Sequence, residues 1–150
     1  MTDIIQATRK ELPELQNLAN KLWPDESLEE ITMALRKSIA SPKEDLFLIR
    51  DENQYAIAFI QLSLRYDYVP GATRQPVGFV EGIYVEEVYR GTGIGRQLIE
   101  HAEKWAFDKG CIELASDALI DNVDSQDFHT QVGFREVERI VTFIKPLQRS

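Results

Sequence analysis

Apolar residues first recur at helical spacing. Leu12, Leu15, Leu18, Ala19 and Leu22 fall on one face, and Trp23-Pro24-Asp25 breaks the period. A second helix opens at Ser27, with Glu30 three residues on in capping-box spacing. Leu28, Ile31, Leu35 and Ile39 carry its stripe to about Ser41-Pro42. The period then shortens to two: residues 46–49 and 56–64 are apolar or alternating runs around the polar Asp51-Glu52-Asn53-Gln54, which predicts an antiparallel hairpin. Residues 65–76, with Pro70, Gly71 and Pro76, read as an extended loop. From 77 to 85 the chain is apolar on both faces, Phe79, Ile83 and Val85 alternating with Val80 and Tyr84, as in a covered central strand. A glycine-rich turn leads into a helix with Ile94, Leu98, Ile99, Ala102, Trp105 and Ala106 on one face, closed by Lys109-Gly110. Residues 112–116 form the next strand, so this strand–helix–strand unit crosses over into parallel pairing. A short helix over 125–131, a turn at Gly133-Phe134 and a last strand over 140–144 follow. The order predicts one α/β domain over residues 1–150, a single mixed sheet with helices on both faces.

Composition narrows the function classes. The chain carries 17 basic and 25 acidic residues, a net charge of −8, which repels a nucleic-acid backbone and favours a cationic small molecule. No apolar run approaches the roughly 18 residues of a membrane span, and Met1-Thr2-Asp3-Ile4-Ile5-Gln6 lacks a basic region followed by an apolar one, so the expected location is the cytoplasm. The single cysteine, Cys111, has no internal disulfide partner and sits beside an apolar run, where it reads as a small buried hydrophobe.

The stretch Arg90-Gly91-Thr92-Gly93-Ile94-Gly95-Arg96 lies between a central strand and an amphipathic helix. A helix start offers unpaired N–H groups and the positive end of the dipole, and glycines let a ligand approach them, so a pyrophosphate is the natural guest. Arg90 and Arg96 add charge-assisted donors. The spacing G-x-G-x-G, late in the chain, departs from the G-x-G-x-x-G that a nicotinamide-dependent oxidoreductase needs after its first strand.

Arg90-x-x-Gly93-x-Gly95 resembles the (Q/R)-x-x-G-x-(G/A) loop of the GCN5-related N-acetyltransferase superfamily. Asn122, Ser125, His129, Gly133 and Phe134 match the spacing of a second superfamily motif, with His129 where that motif places a tyrosine. Leu22-Trp23-Pro24, Leu64-Arg65-x-Asp67-Tyr68-Val69-x-Gly71, Glu81-Gly82-Ile83, Gly110-Cys111, Ser116-Asp117 and Gly133-Phe134-Arg135-Glu136-x-Glu138-Arg139 look like the aminoglycoside 6'-N-acetyltransferase branch. That resemblance implies acetyl-CoA as co-substrate, held by Ile83, Tyr84 and Val85, by Arg90, Gly91, Thr92, Gly93, Ile94, Gly95 and Arg96, and by Asn122. It implies an aminoglycoside site lined by Trp23, Tyr68, Glu81, Asp117 and Glu138 in a homodimer, with Tyr68 reaching in from a partner subunit.

The residues carry part of this independently. Glu81 interrupts an apolar strand, where an unpaired carboxylate costs several kcal/mol, so it has either a function or an arginine partner. Asp117 ends the adjacent strand, at the edge where parallel sheets bind ligands, or else caps a turn. By sequence alone Trp23 reads as a core aromatic ending a helix, and only the resemblance makes it a site residue; Glu138 reads equally as a solvent-facing residue, and Tyr68 in a polar loop as a contact residue. An amine with a reference pKa of about 10.4 must lose a proton before it attacks a thioester, which makes Glu81 and Asp117 the candidate catalytic bases. His129 is the candidate acid for the departing thiolate or only a local hydrogen-bonding residue. A different amine acceptor, such as a polyamine or a protein N-terminus, and a non-catalytic acyl-CoA-binding module stay open at this point.

Overall fold

The computed structural model describes residues 3–149. They gather into two compact units, Met1–Asp117 and Ala118–Ser150, each taken by itself below.

In the first unit β1 (Ile4–Gln6), α1 (Leu12–Leu22), α2 (Leu28–Ala40), β2 (Glu44–Arg50), β3 (Ala56–Arg65), β4 (Val77–Val85), α3 (Ile94–Asp108) and β5 (Leu114–Ser116) follow one another. The sheet order is β1-β2-β3-β4-β5; the first three pairings are antiparallel, and β4 with β5 is parallel. The mixed sheet expected from the sequence is therefore present. β1, three residues long and without a period to show, was not among the expected elements.

Helices cover both faces, as the alternation along the strands requires. Leu46 and Leu48 of β2 and Phe59 of β3 pack with Leu15, Leu18 and Ala19 of α1 and with Ile31 and Leu35 of α2. Phe47, one residue out of phase, points to the opposite face and meets His101 of α3 edge-on, with ring centroids 4.4 Å apart. Nearby, Trp105 Nε1 donates to Asp45 Oδ2 at 2.8 Å. Burial of each large side chain in these layers contributes about 1.5–3 kcal/mol. Ser27 caps α2 by accepting from the Glu30 N–H at 3.1 Å, and α1 stops at Trp23, ahead of Pro24.

The second unit holds α4 (Val123–Gln131), which starts two residues earlier than the pattern suggests because Asn122 Oδ1 caps it by accepting from Ser125 N at 3.1 Å. The expected strand over 140–144 does not form; 132–149 carry no regular structure, and no described strand pairs with them. A strand exists only through a neighbour's hydrogen bonds, which strand-favouring side chains cannot supply. The expected strand over 112–116 likewise shortens to the three residues that reach β4.

Candidate active site

The site begins with an irregularity in β4. Gln61 pairs with Gly82 and Leu62 with Val80, so Glu81 is the extra residue of a β-bulge. The bulge shifts the phase of the strand. Gly78 faces Ala106 of α3 and Phe79 lies under the Arg65 guanidinium, whereas past the bulge Gly82 and Tyr84 both turn toward α1. The plain alternation read from the sequence, with Phe79 in step with Ile83 and Val85, is thereby corrected: Phe79 shares its face with Tyr84. Glu81, partly exposed, is delivered into a cleft instead of the core.

This cleft, about 290 Å³, is lined by Trp23, Glu26, Ile31, Ala34, Leu35, Glu44, Gln61 and Glu81. Trp23 closes one wall, edge-on to Phe59 at 6.2 Å, so it acts both as a core aromatic and as a lining residue. A methyl group on Gly82 would sit 2.7 Å from Trp23 ring carbons, and the absent side chain is what lets the indole lie against the strand. Three carboxylates therefore face one apolar wall. Glu81 is itself engaged: Arg65 Nη2 and Nε donate to it at 2.8 and 3.0 Å, and Ser63 Oγ donates a third hydrogen bond. This is the arginine partner that the strand position called for. The Glu81 hydrogen bond raises the Arg65 pKa above its usual value, with Asp117 and Asp67 adding to the same field. Of these three carboxylates Glu81 alone contacts the guanidinium, while Asp117 and Asp67 act on it through space.

Arg65, Ser63, Gln61, Glu26 and Glu44 were missed by sequence reasoning. A signal existed for three of them: Gln61, Ser63 and Arg65 alternate with Ile60, Leu62 and Leu64, placing a polar stripe on one face of an otherwise apolar strand. Glu26 and Glu44 had none, being acidic residues near turns in an acidic chain. Tyr68 stands 79% exposed in the loop, which Val69 pins by packing against Val77 and Phe79, and Thr73 by bonding Glu113 Oε1 at 2.8 and 3.0 Å.

Beyond the bulge the sheet opens. β5 pairs with β4 only over Gly78–Val80, so alternate backbone amides of the stretch that includes Ile83, Tyr84 and Val85 face away from β3 with no described strand opposite. The strand then leads to the glycine loop. Gly91 and Gly93 have φ of +79° and +93°, a region side chains rarely enter, and Gly93 is the N-cap of α3. Beyond the adjoining residues, no atom lies within 4 Å of where either Cβ would be, so the loop is unobstructed on that side. Gly95 and Arg96 follow Ile94 in the first turn of α3. Arg90 donates from Nε to the Val85 carbonyl at 2.9 Å and lies over the Tyr84 ring, bracing the strand end. Thr92 Oγ1 bonds the Tyr89 carbonyl. Donors at a helix start beside an unzipped strand fit a pyrophosphate and an extended thioester arm.

Further bonds stiffen the strand end. Lys21 holds Glu86 at 2.6 Å and keeps its carboxyl below the usual range; burial first, then the Glu86 hydrogen bond, raises the Tyr84 hydroxyl. Cys111 is buried and its thiol pushed up by that burial, as expected of an inert packing residue. In the second unit, Asn122 spends its oxygen on the α4 cap. His129 Nδ1 lies 2.6 Å from the Ser125 carbonyl, which can only accept, so that nitrogen bears the proton; the ring packs between Phe128 and Phe134. Glu138 is exposed beside the Glu136–Arg139 pair.

A pyrophosphate-accepting helix start, a split sheet and a carboxylate cleft beside the split define an acyl-CoA-dependent transferase. Residues 7–134 match the model of the acetyltransferase (GNAT) family, and the chain belongs to that family. It is 43% identical over 130 residues to an aminoglycoside N(6')-acetyltransferase type 1 of Serratia marcescens, covering 87% of this chain and 89% of the relative. It superposes with a TM-score of 0.91 on the apo crystal structure of the aminoglycoside antibiotic 6'-N-acetyltransferase AAC(6')-IG from Acinetobacter haemolyticus, at 37% identity over 97% of this chain and 99% of that one. AAC(6')-Iy in complex with the bisubstrate analogue CoA-S-monomethyl-acetylneamine also gives 0.91, at 33% identity over 98% and 99%.

Proposed function

We propose that this chain transfers the acetyl group of acetyl-CoA to the 6'-amine of aminoglycosides and so confers resistance to them. The likeness to enzymes of that name over nearly the whole chain, and to one solved with a joined CoA–aminoglycoside analogue, supports the reading. The observation that carries it is the bulge at Glu81, which puts a carboxylate into an acidic, tryptophan-walled cleft next to the point where β4 and β5 part.

Acetyl-CoA supplies the thioester. Gly91, Thr92, Gly93, Ile94, Gly95 and Arg96, with Asn122, hold its phosphate and pantetheine portion, and Arg90 braces the loop. Backbone amides near Ile83, Tyr84 and Val85 polarise the thioester carbonyl. Trp23, Tyr68, Glu81, Asp117 and Glu138 seat the polycationic acceptor. The neutral amine attacks the carbonyl carbon, a C–N bond forms, the C–S bond breaks, and the ammonium proton passes to Glu81 or Asp117, directly or through water. The departing thiolate takes a proton from His129. Since neutral His129 has its proton on Nδ1 and committed to Ser125, donation from Nε2 requires the imidazolium form. Residues 1–150 work as one acetyltransferase domain in a cytoplasmic homodimer, Tyr68 completing the neighbour's acceptor site.

Acetyl-CoA turnover across aminoglycosides that have or lack a 6'-amine tests this. Turnover confined to 6'-amines is expected; equal rates with 6'-hydroxyl analogues would refute the regiochemistry, and turnover confined to polyamines would refute the substrate class.

A further inference from the structure

The three carboxylates of the cleft are not equivalent. Glu81 is compensated by Arg65 and Ser63, and Glu26 stands exposed in the turn ahead of α2. Glu44 differs from both: it is half-buried at the start of β2, and its carboxylate has no hydrogen bond or ion pair among the described residues. The cation next to it in sequence, Lys43, is engaged elsewhere, with Nζ 4.8 Å from the Tyr66 ring centroid. A carboxylate partly withdrawn from water without a counter-ion costs free energy that a bound cation returns. The sheet fixes where that charge points. Glu44 alternates with Leu46 and Leu48, which pack toward α1 and α2, so it shares their face. It pairs across β2 and β3 with Ser63, whose hydroxyl in turn bonds Glu81 on β4. Its neighbours pin the backbone: the Leu64 N–H donates to the Lys43 carbonyl at 2.8 Å, and the Asp45 carboxylate accepts from Gln6 Nε2 at 2.9 Å and from Trp105 Nε1 at 2.8 Å.

We propose that Glu44 is a specificity-determining residue of the acceptor site, holding a second ammonium of the polycation on a ring other than the one acetylated. This rests on the aminoglycoside reading above and says which part of the acceptor is read besides the reacting amine. With strands about 4.8 Å apart, Glu44 on β2 and Glu81 on β4 stand about 10 Å apart at the backbone. That span suits amines carried on successive rings of a polycation, and a monoamine does not bridge it. Glu81 shares its charge with Arg65, so the uncompensated charge on the strand side of the cleft is that of Glu44. A carboxylate on a pinned strand is preorganised for its ligand, which one in an exposed turn, such as Glu26, is not. The net charge of the chain draws in any polycation at long range, whereas a contact at Glu44 distinguishes one amine of the acceptor from the others.

Steady-state kinetics on the full chain test this with aminoglycosides that all keep the 6'-amine, each paired with analogues that lack one amine on another ring. Glu44→Gln keeps the shape of the side chain and removes its charge. It is expected to raise the KM of the parent acceptor roughly tenfold, the worth of one charged hydrogen bond, with kcat and the acetyl-CoA KM unchanged within about twofold. One deaminated analogue should show the same raised KM with the unaltered protein. Glu44→Gln should then add nothing further to it, because variant and analogue remove the two ends of a single contact. Fold-changes that simply multiply for every analogue overturn the proposal, as does an unchanged KM for the parent; either result leaves the transferase reading standing. A fall in kcat, or a rise in the acetyl-CoA KM as large as that for the acceptor, also overturns it, since the variant then acts on the site as a whole. If the unaltered protein acetylates none of these 6'-amines, the aminoglycoside reading fails and takes this proposal with it.

Discussion

The Glu81 carboxylate is bound by Arg65 and Ser63 and, in the proposed reaction, is one of the two carboxylates that take the ammonium proton. Replacing it removes that proposed proton acceptor and leaves Arg65 uncompensated. Glu81→Gln and Asp117→Asn are each expected to lose roughly 10²-fold in kcat/KM. Wild-type rates in both variants would exclude the two assignments. His101, half-buried against Phe47, makes a separate prediction about stability. Burial, then the Lys104 charge, lowers its pKa below the usual 6.5, so the folded state binds the proton less well than the unfolded chain. Unfolding therefore gains ground as pH falls through 6.5 toward the lower folded value, and the stability is restored above it. The melting temperature should drop between pH 7.5 and 5.5 in the wild type and drop less in His101→Gln; parallel curves would show that His101 is not the titrating group.

Among the elements, β4 joins packing to function through one residue without a side chain. Because a Cβ on Gly82 would meet the Trp23 ring at 2.7 Å, Gly82→Ala forces the indole from its wall, at a cost of about 1–3 kcal/mol in stability. The acceptor KM should rise several-fold while the acetyl-CoA KM holds, since the glycine loop lies elsewhere on the chain; equal changes in the two would mean that the strand as a whole had moved. Helix α4 poses the question of His129. As acid for the thiolate, it should lose roughly 10²-fold in kcat on change to Ala with little change in acetyl-CoA Kd, and recover part of the rate as His129→Tyr. An unchanged kcat with a melting temperature lowered by about 1 kcal/mol of lost stability would reduce it to the Ser125 contact and the packing of Phe128 and Phe134.

On the scale of the molecule, a net charge of −8 attracts a polycationic acceptor and repels the phosphates of acetyl-CoA. Added salt screens both, over a Debye length that shrinks from about 10 Å at 0.1 M to about 3 Å at 1 M. The KM for the aminoglycoside is therefore expected to climb with ionic strength and that for acetyl-CoA to stay level or fall. Two constants that rise together in steady-state titrations would assign the attraction to something other than the charge of the chain.

The sequence by itself determined what depends on near neighbours along the chain. The stripes of α1, α2 and α3, the period of β2 and β3, and glycines at a helix start are local patterns with a fixed physical reading. Gly91 to Arg96 and Glu81 could be singled out for the same reason: the one is a helix cap, the other a charge in an apolar run. What required the tertiary structure was everything set by pairing partners. The bulge that turns Glu81 into the cleft exists only in the register of β3 against β4, and the split of the sheet only in the short reach of β5. Arg65, sixteen residues away from Glu81, becomes its counter-ion because two antiparallel strands lie side by side. Residues 140–144 make the same point in reverse: their β-branched and aromatic side chains specify a strand, but a strand needs a neighbour's edge to bond, and no local pattern supplies one.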